Sequence, residues 1–131
     1  MKKLLFILTI ACSLMSLQAQ NANLKKTIED GIKTSIQQTE NREWKEAFAT
    51  CRALDGMIAV EEQKSKKASP ELHYLVSKER LRMYMRLNNA EQSKLQIEKL
   101  EDYAEKAKQD AISEDLLMTK AGYYQKFSMN D

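Results

Sequence analysis

Ser69–Asn89 reads SPELHYLVSKERLRMYMRLNN, and its pattern decides the fold. Ser69 is placed to cap the first amides of a helix, Pro70 suits the first helical position, and Glu71 favours the positive end of the dipole. Asn88 and Asn89 tolerate the left-handed or turn conformations that stop a helix. At about 100° per residue, Leu72, Val76, Met83 and Leu87 form one apolar stripe, and Tyr74, Leu81 and Met85 fall roughly opposite. Lys78, Glu79, Arg82 and Arg86 make up a polar sector, with Leu75 intruding. A helix that is apolar on two sides is packed between two layers of other helices. The spacing therefore predicts an inner helix of an all-α protein.

The flanking segments carry helical periodicity too. Leu24, Ile28, Ile32 and Ile36 recur every fourth residue and predict a first amphipathic helix. Gly31 weakens that helix slightly but lets a neighbour approach closely. Asn41 is placed to cap the next helix, which runs to about Gln63 with a bend or fraying near Gly56. Trp44, Ala47, Phe48, Cys51, Leu54 and Ile58 share one of its faces, and Trp44, Phe48 and Leu54 are the expected anchors. Ser65–Ala68 forms a charged loop. Beyond Asn89, which with Gln92 resembles a capping box, Ile97, Leu100, Ala104, Ala107 and Ala111 line a fourth helix. Ser113 then opens a fifth, with Leu117, Ala121, Tyr124 and Phe127 on one side. With 3 glycines and 1 proline in the chain, folds rich in β-turns are disfavoured.

The N-terminus has a different character. Lys2 and Lys3, the mostly apolar run Leu4–Leu17 and the small Ala19 have the layout of a secretory signal peptide. The run is short for a membrane span. Cys12 follows a small residue, as a lipidated cysteine would, but Thr9 and the continuing apolar run favour simple cleavage after Ala19. Leu17-Gln18-Ala19-Gln20 resembles the corresponding stretch of exported Bacteroidota proteins. These features predict a signal peptide at 1–19, one domain over 20–131, and a periplasmic or secreted product without a membrane span. Removing residues 1–19 takes away two lysines and no acid, so the 21 basic residues fall to equal the 19 acidic ones. A neutral chain lacks the basic footprint of a nucleic-acid binder. Cys51 then stands alone, and no internal disulfide is possible.

Catalysis needs a nucleophile, base or metal cluster in mutual reach. His73 is the only histidine and reads as a packed or half-exposed side chain, and Cys51 reads as a core residue. Glu61-Glu62 and Glu101-Asp102 have lysines nearby and read as solvated acids. No catalytic residue, cofactor or metal site is expected. The candidate binding residues are Lys78, Arg82 and Arg86, which step by four along one face, together with Tyr74. In a concave groove the three cations would hold an acidic segment or a carboxylate terminus; acids from adjacent helices would instead neutralise them. Tyr84, Tyr123 and Tyr124 are further tyrosines for a groove or for packing.

At Asn41–Leu54 and again at Tyr84–Leu100 the spacing resembles tetratricopeptide-type repeats. Trp44 and Ala47 stand in the opening positions, followed by Cys51 and Leu54. Tyr84, Leu87, Asn88 and Asn89 resemble the end of a leading helix and its turn, and Ala121, Tyr124 and Phe127 repeat that end. The Leu87–Phe127 interval is 40 residues against the ~34 of that repeat. Ala90 and Ser93 replace the opening Trp44 and Ala47 in the second hairpin. The resemblance implies antiparallel hairpins stacked as a right-handed array of about five helices. It implies a non-enzymatic module that binds a protein or peptide. The alternative it raises is the extracytoplasmic sensory part of a sensor kinase or transcriptional regulator. The apolar fifth helix predicts an array incomplete at its C-terminus, with self-association through Tyr123, Tyr124 and Phe127.

Overall fold

The computed structural model describes residues 23–127, so the predicted signal peptide and Cys12 lie outside the described residues. Five helices follow one another: α1 (23–40), α2 (Trp44–Ser65), α3 (Pro70–Arg86), α4 (Ala90–Ala107) and α5 (Asp110–Phe127). The described residues contain no strand, and the protein is all-α. Each connection carries one residue with positive φ, namely Arg42, Lys66, Asn88 and Lys108. A left-handed residue ends a helix by turning the chain away from the axis. Only Asn88 is of a type that adopts this conformation readily.

Helix α3 is the inner helix its two stripes demand. It packs against α2, α4 and α5, and α4 packs against α5. Leu72, Val76 and Met83 enter one core with Ile28 of α1 and Ala47, Cys51, Leu54 and Ile58 of α2. Tyr74 and Leu81 enter a second core with Ile97, Leu100 and Ala104 of α4 and Tyr123 of α5. Fully burying each large aliphatic side chain contributes roughly 1.5–3 kcal/mol. Two cores on opposite sides of α3 therefore hold the chain as one body. Leu87 lies outside both and is exposed.

Gly31 permits the closest approach in the first core. A Cβ placed there would stand 2.5 Å from Leu54 Cδ2, so α1 meets the leucine of α2 across a bare backbone. The remaining α1 contacts differ from the isoleucine stripe: Ser35 and Thr39 are fully buried, while Ile32 and Ile36 are only partly so. Helix α2 does not fray at Gly56 and is continuous through it. Trp44 and Phe48 pack at the edge of the core rather than within it, with the Phe48 ring 5.0 Å from that of Tyr84.

Several caps are built differently from the sequence expectation. Ser69 stands at the N-cap of α3, but its hydroxyl makes no capping bond; its own amide donates instead to Glu62 Oε2 at 2.8 Å. Glu43, not Asn41, is the N-cap of α2. Asn89 does cap α4, its side-chain oxygen accepting the Gln92 amide at 3.0 Å. Helix α5 begins at Asp110, so Ala111 belongs to it and Ser113 lies inside its first turn. Helix α5 is also rotated from the expected stripe: Ile112, Leu116, Tyr123 and Phe127 face the second core, while Leu117, Ala121 and Tyr124 face outward.

Candidate functional site

The polar sector of α3 lies between the two cores, where α1 and α5 stand on either side of it. At the N-terminal end of α3 a pocket of about 700 Å³ is lined by Lys25, Leu72, Tyr74, Leu75, Lys78 and Asp115, among others. Further along, a second pocket of about 450 Å³ is lined by Ile32 and Ile36 of α1, Leu75, Lys78, Arg82 and Met85 of α3, and Met118 and Gly122 of α5. Leu75 and Lys78 border both, so the two pockets lie end to end along α3 as one trough that the Lys78–Asp115 pair crosses. From Glu71 to Met85 its α3 floor is about 21 Å long at 1.5 Å per residue.

The candidate cations take different places. Lys78 sits where the pockets meet and donates to Asp115 Oδ1 at 2.7 Å, and Tyr74 donates its hydroxyl to Asp115 Oδ2 at 2.6 Å. Burial alone would raise the Asp115 carboxyl; the hydrogen bonds from Lys78 and Tyr74 outweigh it and hold the group below the ordinary carboxylate value. Burial together with that same acceptor pushes the Tyr74 phenol well above its ordinary range. Tyr74 is not an exposed groove residue: it is a core side chain whose hydroxyl reaches the trough wall. Lys78 keeps more than two fifths of its side-chain surface exposed.

Arg82 is held from beneath. Its Nε and one terminal nitrogen donate to Glu79 at 2.6 and 2.9 Å, and that same nitrogen donates to Thr39 Oγ1 at 2.9 Å. Ser35 donates to Glu79 Oε2 at 2.6 Å, the oxygen that also accepts from that nitrogen, and Thr39 donates its own hydroxyl to the Ile36 carbonyl at 2.7 Å. Glu79, read from sequence as solvated, is thus a buried acceptor that ties α1 to α3. The Glu79 hydrogen bond raises the Arg82 guanidinium above its already high value and keeps it charged. Arg86 is separate from both, exposed, with its guanidinium carbon 5.7 Å from the centre of the Trp44 ring.

The trough therefore brings together Lys78, Arg82 and one edge of Tyr74, and leaves Arg86 out. Its α5 side, Asp115, Met118, Thr119 and Gly122, was not legible from sequence, because nothing local in α5 records which residues face α3. Of the other tyrosines, Tyr123 is buried, Tyr84 is half-buried, and Tyr124 is exposed. Burial pushes the Cys51 thiol up to about 11, which suppresses the thiolate a nucleophile requires. His73 Nε2 lies 2.9 Å from Glu62 Oε1 and its ring stacks on Tyr103 at 5.1 Å, joining α2, α3 and α4 away from the trough. Burial would raise the Glu62 carboxyl, but the His73 and Ser69 hydrogen bonds lower it overall. Among the described residues, no group of three or more His, Cys, Asp or Glu side chains is placed to hold a metal ion. No helix among them is long and apolar enough to cross a membrane. No protein-family model, curated protein or solved structure matches the chain.

Proposed function

We propose that the chain is an exported, non-enzymatic helical module that holds a segment of another protein along α3. The observation that supports this most is that the two pockets adjoin at Leu75 and Lys78 and follow one another along α3. A floor about 21 Å long suits a helix of some four turns or a short extended segment better than a compact metabolite. Ile32, Ile36, Leu75, Met85 and Met118 offer apolar contacts, and methionines adapt to varied partner shapes. Lys25 and Lys67 at the wider end, with the exposed part of Lys78, offer donors to carbonyls or carboxylates.

A tetratricopeptide-like array belongs to the same proposal. In such an array the leading helices of successive hairpins form one wall. Here α1, α3 and α5 line the trough, and of α2 and α4 only Ser65 at the end of α2 reaches it. The groove is then held open by packing and needs no rearrangement to receive a partner.

Selection of displayed peptides of about 14 residues on the purified chain tests the proposal. Gly122 is the control position, because it lines the trough and a Cβ added there meets no atom within 4 Å. Enriched peptides should carry apolar residues at helical or alternating spacing, and Gly122→Phe should bind them at least tenfold more weakly with its melting temperature unchanged. Enriched peptides that bind Gly122→Phe as well as the wild type would overturn the assignment of the trough.

A further inference from the structure

Charge is distributed unevenly along the trough. At its wide end Lys25, Lys67 and Glu71 belong to no ion pair among the described residues, which leaves one cation in excess there. From the junction of the pockets onward each cation faces an acid. Lys78 faces Asp115, which arrives from α5, and Arg82 faces Glu79 on its own helix. The charged side chains lining that stretch therefore cancel.

The two pairs are built differently. Glu79 is buried beneath Arg82 and binds α1 through Ser35. Asp115 stands at the junction with more than a third of its side chain exposed. Its Oδ1 accepts from Lys78 at 2.7 Å and its Oδ2 from Tyr74 at 2.6 Å. Thr119, one turn further along α5, also donates to that Oδ2 at 3.4 Å. Both oxygens are engaged, so the carboxylate is fixed where a segment lying along α3 would cross it.

We propose that Asp115 sets the charge selectivity of the trough: by cancelling Lys78 it admits neutral, apolar segments across the junction and turns acidic ones away. This rests on the reading of the trough as a groove for a protein segment. A partner carboxylate brought to the junction loses water among Leu75, Met85 and Met118 and meets Asp115 as a like charge. Such a group is tolerated only where a counter-charge and hydrogen bonds compensate. Lys78 already has its counter-charge; it keeps donors for a partner carbonyl but gives an acid no net attraction. A repulsive group built into a site excludes the wrong partner as effectively as new contacts favour the right one. In sequence, Lys78, Arg82 and Arg86 suggest the opposite, an acidic partner, because the α5 acid is not visible beside them.

The test uses a peptide selected on the wild-type chain and lost on Gly122→Phe. It is remade in two series, with each residue in turn replaced by Glu or by Gln, and the quantity read is the preference for Glu over Gln at each position. Asp115→Asn removes the charge but keeps an acceptor for Tyr74. At one position or more it should raise that preference roughly tenfold at low salt, and the gain should fade at high salt. Lys78→Met alone should lower the preference at the same position, since Asp115 then stands without its cation. The double variant should return to the wild-type preference and still bind the parent peptide. A role confined to holding α5 on α3 would weaken both series alike. Preferences that are unchanged in both single variants, or that move the same way in both, would overturn the proposal while leaving the trough as the binding groove. A selection that enriches nothing, or only peptides that bind Gly122→Phe as well as the wild type, would overturn the groove and this proposal with it.

Discussion

The Glu79 carboxylate and the Arg82 guanidinium, three residues apart on α3, form a two-pronged ion pair whose acid is almost wholly shielded from water. Ser35 and Thr39 complete it from α1, so every polar atom drawn into that space has a partner. A buried carboxylate left without its counter-charge is costly, and breaking such a pair from one side costs roughly 3–5 kcal/mol. Arg82→Met should therefore lower the unfolding free energy by about that amount in urea titration. Arg82→Lys should fall between, because a point charge cannot reproduce the fork. A midpoint for Arg82→Met close to wild type would show that Glu79 is not held as described. Arg82 is consequently unsuitable as a probe of partner binding, since its loss reports on folding first.

Gly31 and Gly56 both lie inside helices, yet the same substitution should act on them in opposite directions. At Gly56 a methyl group meets open space, and Gly56→Ala should stabilise by about 0.5–1 kcal/mol through helix propensity. At Gly31 that gain is set against an overlap with buried Leu54, and overpacking costs about 1–3 kcal/mol. Gly31→Ala should be destabilising on balance. Thermal unfolding of both variants decides the point, and a Gly31→Ala chain more stable than wild type would contradict the packing of α1 on α2.

The left-handed turns supply a third expectation. Lys66 and Lys108 end α2 and α4 with positive φ, which is unfavourable for a residue with a side chain by about 1 kcal/mol. Lys108→Gly should raise stability by up to that amount, and an unchanged or lowered melting temperature would show that the Lys108 side chain compensates for its backbone.

Acid should loosen the wall of the trough. Asp115 has its carboxyl held below the ordinary value of about 4, so its hydrogen bonds to Lys78 and Tyr74 stabilise the fold fully above that pH. The contribution is lost as pH falls through the lower, folded-state value. Asp115→Asn should be less stable than wild type near pH 6, and the difference should shrink steadily below about pH 4. Because both charged groups are partly exposed, the ion pair itself should contribute no more than about 1 kcal/mol. A difference that stays constant down to pH 2 would show that Asp115 acts only through its shape.

The two-sided character of α3 was legible because periodicity records how many faces of a helix are buried, and the cores on its two sides take up both stripes except Leu87, which lies at the helix end and stays exposed. Gly31 was legible for a similar reason, since a bare backbone inside an apolar stripe points to close approach. Glu79 was not legible. Its charge reads as solvated, and only the arrival of Ser35, Thr39 and Arg82 makes its burial tolerable. The rotation of α5 was missed because Leu116 and Leu117 are adjacent and hydropathy alone does not choose between them. Lys78 and Arg82 were found as a cationic face, but their partners came from Asp115 on another helix and Glu79 on their own.

Methionine methyl resonances test the trough most directly, because the side chains report from different surfaces. Met85 and Met118 line it from α3 and α5, Met83 is buried in the first core, and Met57 lies on the outer face of α2. A peptide selected on the wild-type chain should be titrated at a protein concentration where the chain is monomeric. The account predicts that the Met85 and Met118 methyls shift together while Met57 and Met83 stay in place. A shift at Met57 with Met85 unmoved would contradict it and place the binding surface on the opposite side of the protein.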